Sequence, residues 1–277
     1  MIISFSNPLI KRIKRLRQRK YREEESAFFV EGLRVVLTAV EHRAPIETLV
    51  YSSELLTSEA GRRAVSEQQQ RGLPCVELSA PVFRAISERE HPVGLGAIVK
   101  TSWHDLDSVV VDPADVWVAL VGTADPGNLG TILRTLDAVG AAGLVLVGST
   151  TDPFHPTAVK ASMGALFTVP VGRLPDEATL FAWARAHGLF IMATSAKART
   201  LFWDAPYQRP ALLLMGSEGE GLSKQVLEAA DLAVTIPMRG SASSLNLAVA
   251  TGLLLYELRR GSLRSFDNDY PSPTLME

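Results

Sequence analysis

Five short apolar runs in the second half of the chain constrain its fold more than any other feature. They are Trp117 to Val121, Leu144 to Val147, Leu189 to Ala193, Ala211 to Met215 and Leu232 to Ile236. Runs of this length, apolar throughout but for Thr235, belong to strands buried on both faces, which is the situation of a parallel sheet. The segments between them, at about 128–139, 156–163, 176–187 and 222–230, have helical patterning, and a last helix is expected over about 245–260. Arg259, Arg260 and Gly261 stand where helix C-termini favour cations and glycine. This is the pattern of an α/β domain with a mostly parallel sheet covered by helices.

The first hundred residues alternate too, with shorter elements. Asn7-Pro8 opens a basic helix, Ala27 to Val30 reads as a strand and Leu33 to Val40 as a helix. Ile46 to Tyr51 is a second strand, 58–71 a polar helix, Val76 the centre of a short strand, and 81–87 another helix before the strand Leu95 to Val99. Residues 101–114 carry Asp, Ser and Pro without periodicity, so the boundary is placed there. The expected domains are 1–105 and 114–261, with 262–277 a frayed tail.

Charge is unevenly distributed. Residues 11–22 hold eight of the 28 basic residues and no acid, leaving 20 cations against 30 carboxylates elsewhere. Such a segment on an acidic body suits a polyanion, and Lys11, Arg12, Lys14, Arg15, Arg17 and Arg19 are the candidate nucleic-acid contacts. A solvated helix face or an organelle transit segment are the plainer alternatives. The single cysteine, Cys75, excludes an internal disulfide, and no Cys/His cluster has zinc-site spacing, so no metal is expected. No apolar run is long enough to span a membrane, and Met1 to Ile10 lacks the apolar core of a secretory leader. The expectation is a cytoplasmic protein with no membrane partner.

Three segments interrupt the rhythm, each just after an expected strand, at the edge where open parallel sheets bind ligands. Asp125-Pro126-Gly127-Asn128-Leu129-Gly130 leads into a helix bearing Arg134. Asn128 can simply cap that helix, while Arg134 suits a phosphate or carboxylate. Gly216-Ser217-Glu218-Gly219-Glu220-Gly221 lets backbone approach a ligand and presents Glu218 as an acceptor. It lacks both the P-loop lysine and the dinucleotide spacing, which argues against a Rossmann oxidoreductase. In Ile236-Pro237-Met238 through Ser243-Ser244-Leu245-Asn246, either serine can cap the last helix, whereas Asn246 in its first turn calls for another reason.

Together these segments resemble the three motifs of the SpoU/TrmH family of RNA ribose 2′-O-methyltransferases, within the SPOUT superfamily. The matching residues are Asn128 and Arg134, then Gly216, Glu218 and Gly221, then Ile236, Pro237, Met238, Ser244, Leu245 and Asn246. Lys160 to Phe167 is similar to a further family segment, and the resemblance covers about residues 115–258. The first half more loosely resembles the L30e-like substrate-binding domain often joined to such catalytic domains. Ala248 stands where many members have Ser, and Lys160 where Arg is common.

The resemblance implies a deep trefoil knot, S-adenosylmethionine as cofactor and a homodimer. It implies methylation of a ribose 2′-hydroxyl in structured RNA, ribosomal before transfer RNA; a non-catalytic RNA-binding protein of the same fold is the alternative. Gly216, Ile236, Leu245, Met238 and Thr194 become the expected cofactor contacts. Arg134, Asn128, Glu218, Ser244 and Asn246 become the expected catalytic set.

Overall fold

The structure is a computed structural model and describes residues 1–263. Its contacts divide into two compact units.

The first unit contains residues 1–102 and also 152–168. It starts with α1 (Pro8–Arg15), which begins where Asn7 accepts a hydrogen bond from the Leu9 N–H at 2.9 Å and Pro8 takes the first helical position. α2 (Arg19–Glu25) follows and stops at Ser26, whose φ of 47° is left-handed. Then come β1 (Ala27–Glu31), α3 (Leu33–Glu41), β2 (Ile46–Tyr51), α4 (Glu59–Gln70), β3 (Cys75–Glu77), α5 (Ala80–Ile86) and β4 (Leu95–Lys100). The sheet order is β1-β4-β2-β3, with β4 antiparallel to both neighbours and β2 parallel to β3. Ile10 and Ile13 of α1 and Leu16 at its C-cap, three residues apart, pack with Val82, Phe83 and Ile86 of α5 over Val50 and Ile98 of the sheet.

The chain then forms β5 (Val116–Val121), α6 (Pro126–Val139) and β6 (Gly143–Val147) in the second unit. It passes to the first unit for α7 (Pro156–Ser162) and returns at Val169 for β7 (Val171–Leu174). There follow α8 (Glu177–Ala186), β8 (Phe190–Thr194), β9 (Thr200–Leu201), β10 (Ala211–Met215), α9 (Lys224–Ala229), β11 (Leu232–Thr235) and α10 (Leu247–Leu263). The seven strands, ordered β7-β6-β5-β10-β8-β11-β9, are all parallel. Every residue of β6 and β10 is buried, as their unbroken apolar sequences require. Gly143 is where it is because the Trp117 ring crosses β6; a Cβ there would lie 2.3 Å from that ring.

Several expectations change. β7 and β9 were not expected. Segment 152–168, assigned by sequence to the second domain, groups with the first unit. The basic stretch is two helices and not one. The last helix does not stop at Gly261 but continues through it to Leu263, and the expected tail lies otherwise outside the described residues.

Candidate functional site

With all strands of the second unit parallel, their C-terminal ends share one edge, and the loops after β5, β10 and β11 leave from it. These are the three segments singled out above. β5 and β10 are adjacent, whereas β8 separates β10 from β11.

After β5 the chain turns at Gly122, with φ of 67°, and α6 begins earlier than expected. Its cap is Asp125, whose carboxylate accepts from the Asn128 N–H at 2.7 Å, with Pro126 in the first helical position. Asn128 is therefore not the cap, and its side chain is available for other partners. After β10, Gly216 runs so close to Gly221 that a Cβ on Gly216 would lie 2.2 Å from the Gly221 carbonyl carbon. Gly221 itself has φ of 70°, so both ends of this turn require glycine. The Gly221 N–H donates to Ser217 O at 3.1 Å, closing a tight turn that carries Glu218 at its tip. After β11, residues 237–244 are exposed, and Ile236 and Leu245 are half-buried. α10 begins at Leu247 because the Asn246 side-chain oxygen accepts from the N–H groups of Ala248 at 2.9 Å and Val249 at 3.3 Å. Asn246 is the cap of α10, in place of Ser243 or Ser244.

The three loops meet through side chains. Asn246 Nδ2 donates to Asn128 Oδ1 at 2.8 Å, and Asn128 Nδ2 donates to Glu218 Oε1 at 3.0 Å. The other Glu218 oxygen accepts from the Ala124 N–H at 3.4 Å. The chain of bonds settles the orientation of each amide: Asn246 turns its oxygen to the helix, so its nitrogen faces Asn128, whose own nitrogen faces the carboxylate.

Of the expected catalytic set, Asn128, Glu218 and Asn246 are thus directly joined. Arg134 is exposed on α6 and Ser244 is exposed before α10; among the described residues neither side chain makes a hydrogen bond or ion pair. Of the expected cofactor contacts, Gly216, Ile236, Met238 and Leu245 lie in the loops. Thr194 ends β8 and donates its hydroxyl to Leu214 O at 3.2 Å, inside the sheet. Sequence reasoning missed Gly122, Ala124 and Asp125; the Asp-Pro pair, a cap residue followed by a first-turn proline, was the signal for the last.

The basic segment divides. Arg12 is held by Glu25 at 2.6 Å and by both oxygens of Glu47 at 2.6 and 3.0 Å. That guanidinium, by hydrogen bonding, lowers the Glu47 carboxyl to about 2 against the opposing effect of burial. Arg17 pairs with Glu88 and Arg19 with Glu23. Lys11, Lys14 and Arg15 are exposed and unpaired by carboxylates among the described residues, with Arg15 lying 4.1 Å over the Tyr21 ring. Half of the six expected contacts are therefore already engaged. Among the described residues there is no cluster of three or more metal-ligating side chains, and no helix is long and apolar enough to cross a membrane.

A profile described as the SpoU rRNA Methylase family matches residues 115–256, and one described as the MRM3-like substrate binding domain matches residues 7–97. The 23S rRNA (uridine(2479)-2′-O)-methyltransferase of Streptomyces viridochromogenes is 34% identical over 254 residues, covering 88% of this chain and 86% of that protein. The 23S rRNA (guanosine(2553)-2′-O)-methyltransferase RlmP of Bacillus subtilis is 30% identical, covering 93% and 98%. A crystal structure of an AdoMet-bound rRNA methyltransferase from Sinorhizobium meliloti aligns with a TM-score of 0.86 at 36% identity, over 94% of this chain and 97% of that one.

Proposed function

The chain belongs to the SpoU rRNA methylase family, and from that premise we propose that it methylates a ribose 2′-hydroxyl of ribosomal RNA, using S-adenosylmethionine. The observation that carries this reading is the Asn246–Asn128–Glu218 chain of hydrogen bonds, which gathers the three family motifs at one sheet edge. The names of the full-length relatives support ribosomal over transfer RNA.

The loops fit the cofactor. A Cβ at Gly219, Gly221 or Gly240 would meet nothing within 4 Å, so backbone groups there are open to a ligand. Half-buried Ile236 and Leu245, with exposed Met238, offer apolar surface in the same loops as Gly216 and Gly240. Gly216, Ile236 and Leu245 would hold it chiefly through main-chain groups. Met238 contributes its side chain, and Thr194, whose hydroxyl is engaged with Leu214, contributes from the end of β8. When bound, S-adenosylmethionine supplies an electrophilic methyl group on a sulfonium centre, and no metal is needed for a leaving group that departs neutral.

Arg134 acts on the nucleotide. A guanidinium stays charged and cannot serve as the base, so it clamps a phosphate and the charge developing on the 2′-oxygen. The hydroxyl proton passes to a phosphate oxygen or to water. Asn128, Glu218 and Asn246 hold the loops in place, and Ser244 orients the ribose; placement of the reacting groups supplies much of the acceleration. Lys11, Lys14 and Arg15 engage the RNA backbone, with Arg12, Arg17 and Arg19 shaping that face through their ion pairs.

The remaining parts of the reading rest on single features. A trefoil knot formed by the C-terminal segment, which ends in α10 packed on α6, belongs to the same reading. An L30e-like first domain is supported by its four-stranded mixed sheet with helices between the strands. A homodimer is supported by an exposed apolar stripe on α10, and cytoplasmic residence belongs to the same reading.

The test is methyl transfer from labelled S-adenosylmethionine to ribosomal RNA, with ribose methylation mapped by mass spectrometry. Arg134→Ala is expected to abolish transfer while cofactor binding, measured by calorimetry, is retained. Normal turnover in that variant would overturn its role, and the absence of any ribose methylation by the wild-type protein would overturn the function.

A further inference from the structure

The first unit contains a cavity of about 180 Å³ that the proposed chemistry does not use. It is lined by the junction of α1 and α2, the end of β1, the turn after α5, and α7. Two glycines make room for its walls. A Cβ on Gly96 would lie 2.6 Å from the Phe29 ring, and one on Gly32 would lie 2.5 Å from the Arg89 guanidinium. Gly32 also has φ of 108°, a conformation that other residues rarely adopt.

The rim is fixed as well. The Glu31 carboxylate accepts from Ser87 Oγ at 2.6 Å and from the Glu88 N–H at 2.8 Å. Ser87 Oγ in turn accepts from the Arg89 N–H at 3.0 Å, and Arg89 donates its guanidinium to Glu31 O at 3.3 Å. Arg17 donates to Ile86 O at 2.9 Å and pairs with Glu88 at 3.2 Å. Both carboxylates of the cavity are therefore engaged, while the exposed Lys160 side chain makes no hydrogen bond or ion pair among the described residues. An aromatic ring, a charged guanidinium facing only a carbonyl, and an unneutralised ammonium are what single-stranded RNA recognition uses for a base and its phosphate. The volume is below the roughly 300–1,000 Å³ of sites for drug-sized ligands and suits one ring system.

We propose that this cavity receives one unpaired nucleotide of the RNA substrate, its base against Phe29 and its phosphate against Lys160 and Arg89. This rests on RNA being the substrate, and it gives Lys160 a role in RNA capture on the first unit and none in methyl transfer. Rigid walls favour such capture because little ordering remains to be done on binding.

The test measures binding of a fluorescently labelled ribosomal RNA fragment to the full chain carrying Lys160→Glu or Phe29→Leu. Arg71→Glu, the same charge change at an exposed site of the first unit outside the cavity, is the control. Each cavity variant is expected to weaken binding about fivefold or more and to raise the RNA KM, with kcat at saturating RNA and cofactor affinity unchanged. Wild-type binding by Lys160→Glu, or an equal loss in Arg71→Glu, would overturn the proposal. Should Phe29→Leu not fold, Lys160→Glu still decides. Binding that depends on Lys160 in a wild-type protein that transfers no methyl group would support the cavity and overturn the methylation reading instead.

Discussion

Asn246 serves two structures with one side chain. Its oxygen caps α10 and its nitrogen reaches Asn128, so the start of the helix and the meeting of the loops depend on the same amide. Substitution can separate them. Asn246→Ala should lower stability by about 1 kcal/mol through the lost cap and also impair methyl transfer. Asn246→Ser should recover the stability, measured by urea denaturation, but not the transfer, because a shorter hydroxyl does not reach Asn128. Full activity in the Ser variant would mean that the bond to Asn128 is dispensable. The chemistry of this residue was legible in the sequence, and its position relative to the helix was not. Ser243, Ser244 and Asn246 are all good caps, and propensity does not choose among them. What distinguishes Asn is the donor left over after capping, which acquires meaning only once Asn128 is brought to it by the fold. For Asn128 only the plainer alternative, a helix cap, falls away, since Asp125 followed by Pro126 is the better cap.

At the level of elements, patterning worked where burial is symmetrical. β5, β6 and β10 sit deep in a parallel sheet, and each announces itself as an apolar run. β7 escaped because it is an edge strand of four residues interrupted by Gly172 and Arg173, and β9 because it has two residues and only β11 beside it. α1 shows an amphipathic helix with its polar side divided again: Ile10 and Ile13 face the core and Arg12 faces Glu25 and Glu47. Lys11, Lys14 and Arg15 remain for solvent or RNA. Replacing these three with Ala should weaken RNA binding and flatten its dependence on salt, by about 0.7 in log–log slope for each single-strand phosphate no longer neutralised. An unchanged salt titration would return them to the solvated-face reading. α10 poses a different question. Leu254, Leu255 and Leu258 are buried, yet Val249, Leu253 and Tyr256 are 52%, 42% and 53% exposed at positions i, i+4 and i+7. A stripe at that spacing is one face, and the proposed homodimer would cover it with a second copy. Leu253→Glu should convert a dimer into monomers by light scattering, with little loss of monomer stability since the side chain is half-exposed. A wild-type chain that is monomeric would remove the dimer.

At the level of the whole molecule, the segment 152–168 runs with the first unit although it lies within the span of the SpoU profile. Its attachment there is specific. The Phe28 ring lies 4.8 Å from that of Phe154 and 6.2 Å from that of Phe167, and Arg22 joins Asp152 at 2.7 Å. Arg22 is 2% exposed and also donates to Leu16 O and Arg17 O, so the guanidinium is fully surrounded. Asp152→Ala would leave that charge without its counterion and should cost about 3–5 kcal/mol in chemical denaturation. A loss below about 1 kcal/mol, the range of surface pairs, would show that the aromatic packing alone holds the segment. The sequence reading divided the chain at one place, 101–114, since a boundary is sought as a polar stretch between periodic ones. An excursion that carries its own helix and its own apolar residues offers no such sign.

That excursion means the strand of polypeptide travels between the two units three times, near 102, 151 and 168. A single protease nick near residue 102 would therefore leave the halves tethered by peptide. A continuous fragment of residues 114–261 produced by itself would carry Phe154 and Phe167 with no Phe28 to stack on, leaving apolar surface that invites precipitation.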